Sequence, residues 1–159
     1  MATATKREEW IKIVPRRPET GLPPAKVNEV LAYELPLQEN YLLFKKDIVQ
    51  TKEQYDMLFL EVKKYLALCV IKGERLNMYS RTIDNMWHSF ILYTEEYAQF
   101  CDHMFGKFMH HAPCTPEQLQ TEDIQGFNEF VELYEEHFGE IHPIWFHDSV
   151  ELMAARCSR

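Results

Sequence analysis

The run "IDNMWHSFILYTEEYAQFCDHMFGKFMHHAP", residues 83–113, decides how this chain folds. Apolar residues recur every three or four positions on both sides of Thr94, as they do on amphipathic helices. The spacing predicts one helix over 82–93 and another from 95 to either 106 or 111, with Thr94 as the break and N-cap. Glu95 and Glu96 suit the first turn of the second helix, where the helix dipole favours negative charge. Where that helix ends is the open question. If it runs unbroken, Tyr97, Cys101, Met104, Phe108 and His111 form one stripe, and His110 points about 100° away. A hairpin pivoting at Thr94 then leaves His88 about 9 Å and His111 about 25 Å from the turn, too far apart to share a ligand. If Gly106 ends the helix, the residues from 107 to 111 can span about 17 Å, and His111 can return to His88.

Outward from this run the pattern stays helical. "AKVNEVLAY" reads as a short helix, with Pro24 suited to its first turn. Thr51 and Gln54 form a capping box. Tyr55, Leu58, Phe59, Val62, Tyr65, Leu66, Cys69 and Val70 follow as one apolar stripe, and Gly73 closes it. Lys and Glu are expected on the solvated opposite face. Thr115 and Gln118 form a second capping box, ahead of a stretch whose buried face is read as Ile124, Phe127, Phe130, Val131 and Tyr134, closed by Gly139. "EIHPIWFH" contains a proline and is not regular helix throughout, and Asp148 with Glu151 caps a short terminal helix. No alternating strand pattern and no internal repeat is present. The predicted fold is all-α, a single irregular helical bundle over 25–159. Residues 1–24 are read as an extended arm, because Pro15, Pro18, Pro23 and Pro24 forbid a regular helix.

Composition narrows the function classes. The net charge of −8 repels phosphate backbones and anionic lipid surfaces, so direct nucleic-acid binding and membrane association are not expected. The Cys residues (69, 101, 114 and 157) include no C-x-x-C pair, and the polar start "MATATKREEW" lacks an apolar signal region. Both features fit a reducing, cytoplasmic setting. No Glu precedes a His by three positions, and H-E-x-x-H, G-x-x-x-x-G-K-[ST] and G-x-S-x-G are all missing. Apolar neighbours of Cys101 would raise its pKa, which argues against a thiol nucleophile.

Asp84 and His88 lie four residues apart on one helix face. Such a carboxylate can accept the proton of the imidazole Nδ1, the support that metal-bound histidines commonly have. Two imidazoles with a carboxylate or thiolate suit zinc or iron(II), so His88, His111, Asp84 and Cys101 form the candidate ligand set for one Zn or Fe ion. A structural account competes with it, in which Trp87, His88, Tyr97 and Asp84 form a hydrogen-bonded knot locking two helices. His103 is read as lying on an exposed flank. His137, His142 and His147 are further candidates, but their five-residue steps do not share one helix face.

The series Asp84, Trp87, His88, Tyr97, Cys101, Gly106 and His111 resembles the glycine-rich domain-containing protein-like family. His110-His111-Pro113 is similar to the ending of its shorter bacterial members. This chain has Phe90 where plant members carry a second His, and it lacks the glycine-rich tail. The resemblance implies a helical domain with Trp87, Tyr97, Gly106 and His110 supporting the site, and it implies no particular activity.

Three functions are therefore expected in order. The first is a small binding or regulatory module acting on another protein. The second is a metal-binding protein or small metalloenzyme. The third and weakest is an acidic decoy that occupies a nucleic-acid-binding partner.

Overall fold

A computed structural model describes residues 21–112 and 123–146. The chain is an all-α bundle with no strand among the described residues; six helices are followed by a helical turn at 144–146. In chain order they are α1 (Pro24–Ala32), α2 (Pro36–Lys45), α3 (Lys52–Lys72), α4 (Arg81–Leu92), α5 (Thr94–Phe105) and α6 (Ile124–Phe138). The expected arm lies outside the described residues up to position 20, as do the Thr115 capping box and the terminal helix at Asp148.

The central element is α3, which α1, α2 and α4 all contact. Its start follows the predicted chemistry: Thr51 Oγ1 accepts the Gln54 N–H at 3.2 Å. The reciprocal half of the box is shifted by one residue, since Gln54 Oε1 accepts from the Gln50 N–H at 2.7 Å. At the other end Gly73 adopts φ 76°, and its N–H returns to the carbonyls of Cys69 and Val70. The left-handed conformation is one that side chains resist, so glycine stops the helix cleanly.

The predicted stripe of α3 is buried throughout, but the opposite face is not simply solvated. Glu61 and Lys63 are buried too. Lys63 Nζ donates to Leu31 O at 2.7 Å and Tyr33 O at 2.8 Å, satisfying carbonyls at the C-terminal end of α1. Burial pushes its amine down to about 8. Glu61 accepts the Tyr134 hydroxyl, and its Oε2 accepts the Trp145 indole N–H at 2.8 Å. Helix α3 is thus enclosed on both sides, and its buried charges are neutralised or hydrogen-bonded, as burial requires.

Several sequence expectations need correction. Helix α2 forms where the apolar pattern gives no inward face: its buried residues are Gln38 and Leu42, whereas Leu37, Tyr41 and Phe44 face outward. The last helix starts with Asp123 as N-cap, whose carboxylate accepts the Gly126 N–H, and Ile124 is 57% exposed rather than buried. Thr94 is the first residue of α5 and not its cap; Tyr93 holds the cap position without a side-chain bond. The Tyr97 N–H bonds to the Tyr93 carbonyl at 2.7 Å, so the break between α4 and α5 is a single residue wide. No helix among the described residues is long and apolar enough to cross a membrane.

Candidate metal centre

The site begins at the start of α4. Ser80 caps this helix, its Oγ accepting the Ile83 N–H at 3.1 Å. Asp84 and His88 then fall one turn apart on the same face. Asp84 is buried, with 8% of its side chain exposed, while His88 is 46% exposed.

The third donor arrives because α5 stops at Gly106, which takes φ 72° and donates its N–H to Asp102 O. The chain reverses immediately. Tyr97, inside α5, donates its hydroxyl to the Met109 carbonyl and accepts the Trp87 indole N–H at 3.1 Å. That three-residue tie pins the returning strand of backbone two residues before His111. The His111 ring then lies 4.4 Å from the rings of both Trp87 and His88. The shorter of the two predicted helix lengths is the one formed, and it brings the histidines together.

Three donor atoms converge here. His111 Nε2 is 2.7 Å from Asp84 Oδ1 and 2.9 Å from His88 Nε2. His88 Nε2 is 3.4 Å from Asp84 Oδ2. Asp84, His88 and His111 are the group among the described residues whose ligand atoms lie close enough together to hold one metal ion. The imidazoles present Nε2 to Asp84, not Nδ1, so the carboxylate stands beside them as a third donor rather than behind one of them as a support.

The protonation chemistry of this triangle is uneven. An imidazole nitrogen holds either a proton or a lone pair, so at each Nε2···Nε2 or Nε2···carboxylate contact one atom must donate and the other accept. A divalent cation instead takes one lone pair from each of the three atoms. Donors at right angles around an ion at about 2.1 Å lie about 3.0 Å apart, and tetrahedral donors about 3.4 Å apart. The observed separations of 2.7, 2.9 and 3.4 Å span those values.

The remaining candidates sit elsewhere. Cys101 is buried, and its Sγ is not among the convergent atoms. Burial raises its pKa, with the Met109 backbone and Tyr97 acting in the opposite sense. Its predicted role as a ligand is corrected to packing beneath the Tyr97 tie. Cys69 is likewise buried, its thiol pushed up to about 11. His110 is exposed, its ring 4.7 Å from Phe108. His103 is exposed and pairs with Glu29 at 2.6 Å. His137 Nδ1 lies 2.9 Å from its own helix's Leu133 carbonyl, and His142 Nδ1 accepts the Ile144 N–H. His147 lies outside the described residues. The hydrogen-bonded knot also takes in residues beyond the expected four: Trp87 and Tyr97 are tied to the Met109 carbonyl, and His111 joins Asp84 and His88 against the Trp87 ring. These contacts fit the structural account as well as the metal account.

Sequence comparison places residues 25–136 in a single described family. The chain belongs to the UCP032817-like family. This overturns the expected kinship with the glycine-rich domain-containing family, which rested on a series covering only residues 84–111. The UCP032817-like region contains all three convergent donors, together with Trp87, Tyr97 and Gly106. No curated protein and no solved structure matches the chain.

Proposed function

We propose that this UCP032817-like protein binds one divalent transition metal through Asp84, His88 and His111. The observation that carries the reading is the convergence of three lone-pair donors from two separate chain segments, with no donor separation above 3.4 Å. Two neutral imidazoles and one carboxylate on one side of an ion match zinc or iron(II), and they leave further coordination positions open. The exposure of His88 leaves that open side towards solvent. When bound, such an ion supplies a Lewis acid at which water or a substrate oxygen is activated.

Elemental analysis of untagged protein, followed by zinc titration of the metal-stripped chain, tests the reading. One equivalent is expected in the wild type, and a large loss of affinity in His111→Ala and Asp84→Asn with helicity retained. Wild-type protein that takes up no zinc or iron, or equal uptake by these variants, would remove the proposal.

A second reading, a role in binding another protein, is supported by a different observation. Leu37, Tyr41 and Phe44 recur at four and three residues along α2 and are exposed, Phe44 at 81%. The Tyr93 hydroxyl contacts the Leu37 carbonyl, which brings the end of α4 and its exposed Leu92 towards the same surface. Side chains of this size in one patch fit the apolar face of a partner helix. Binding of a hydrophobic dye by the folded chain, abolished in Phe44→Ser/Leu92→Ser, is expected; no binding by the wild type would end this reading.

A further inference from the structure

Arg81 opens α4 three residues before Asp84 and seven before His88. At 100° per residue, these side chains leave the helix within about 60° of one another, and Arg81 lies about 4.5 Å along the axis from Asp84. Its Nε is buried and has no hydrogen-bond partner among the described residues. No carboxylate among those residues forms an ion pair with it either, although Asp84 stands one turn away. Asp84 is instead turned towards the two imidazoles. A buried N–H without a partner is costly, and Arg81 is only partly buried, so the rest of its guanidinium remains accessible to a ligand.

We infer that the metal centre takes a small oxyanion as its exogenous ligand, one oxygen on the ion and another on the Arg81 guanidinium. This inference rests on the metal reading above. An ion held by three protein donors keeps open positions for an anionic oxygen. A guanidinium offers a fork of N–H donors matched to carboxylate and phosphate, and both groups present two oxygens on one atom. The chain carries a net charge of −8, so a general electrostatic attraction for anions is missing. Retention of an anion therefore needs a local pair of positive centres, and the metal with Arg81 supplies one. Carboxylate and phosphate ligands share this chemistry.

The test uses the full chain loaded with cobalt(II), whose visible absorption reports changes in coordination. Acetate and inorganic phosphate are titrated in separate arms in an oxyanion-free buffer. A saturable spectral change is expected with at least one of them, and the responding arm identifies the ligand class. In Arg81→Gln the responding anion should bind roughly tenfold or more weakly, as losing a charged hydrogen-bond partner implies, with cobalt affinity unchanged. Arg81→Met, which keeps the aliphatic stem, should behave alike and provides a second variant if the first folds poorly. Cobalt-loaded wild type that ignores both anions, or variants that bind them as tightly as the wild type, would overturn the inference while leaving the metal site standing. Failure of the wild type to bind cobalt at all would overturn both.

Discussion

Trp87 forms a wall shared by the α4–α5 hairpin and the metal-like triangle, and its replacement tests whether the two depend on each other. The side chain is 4% exposed, packs with its ring 5.4 Å from Tyr65 and 4.4 Å from His111, and donates to Tyr97. A buried tryptophan removes about 150–250 Å² from water, worth about 4–6 kcal/mol at about 25 cal/mol per Å². Alanine recovers a small part of that, so Trp87→Ala should cost about 3–5 kcal/mol, the range seen for truncated core aromatics. Trp87→Phe separates packing from hydrogen bonding. It keeps a ring against Tyr65 and His111 but removes the indole N–H. The Tyr97 hydroxyl still donates to Met109, so no buried donor is stranded and the cost should stay near about 1–2 kcal/mol. Urea unfolding followed by far-ultraviolet circular dichroism reads both values without relying on tryptophan emission. A Trp87→Ala midpoint equal to that of wild type would refute the packing argument. Equal costs for the two variants would show that the hydrogen bond, not the ring, holds the hairpin.

Two other outcomes follow from the geometry. Gly106→Ala forces a side chain into a positive-φ position, costing about 1–2 kcal/mol; a lower melting temperature with weakened zinc uptake is expected, and both values unchanged would contradict the role given to this turn. Lys63 titrates lower when folded, at about 8 against the 10.5 of the exposed side chain. Between these values the unfolded chain binds more protons, so stability should rise with pH across that window by as much as about 3 kcal/mol. Lys63→Met should flatten the rise, measured as urea midpoints from pH 8 to 10.5, and an equally steep rise in the variant would refute it.

Much of the fold is legible where local chemistry and periodicity agree. Thr51, the stripe from Tyr55 to Val70, and Gly73 specify α3 because cap, buried face and stop signal all coincide. Helix α2 escapes the same reasoning because its regularly spaced apolar residues point outward, while a polar side chain, Gln38, is buried and accepts burial by donating to the Tyr55 hydroxyl. Glu61 and Lys63 look like surface residues in the sequence because their partners lie 73 and 32 residues away. At the site, the Asp84–His88 pair follows from helical spacing alone. The arrival of His111 depends on one backbone conformation at Gly106, which spacing leaves undecided between two helix lengths. Cys101 entered the candidate set through its neighbours in sequence, yet it faces the core beneath the loop. Arg81 gives no signal in the sequence, because a lone arginine at a helix start has an ordinary surface reading until its surroundings are known.

The attachments of α6 have a consequence for how the molecule opens. Asp123 receives Asn77 and the Tyr79 hydroxyl at one end, and Glu61 receives Tyr134 and Trp145 at the other. None of these six residues belongs to the triangle or to the Trp87–Tyr97 tie. Tyr65 nevertheless packs against Phe130 and Trp145 from this segment and against Trp87 from α4, so release of residues 123–146 as a block in amide exchange should also loosen Trp87 against His111. The flank thus acts as a clasp on the wall that seats His111.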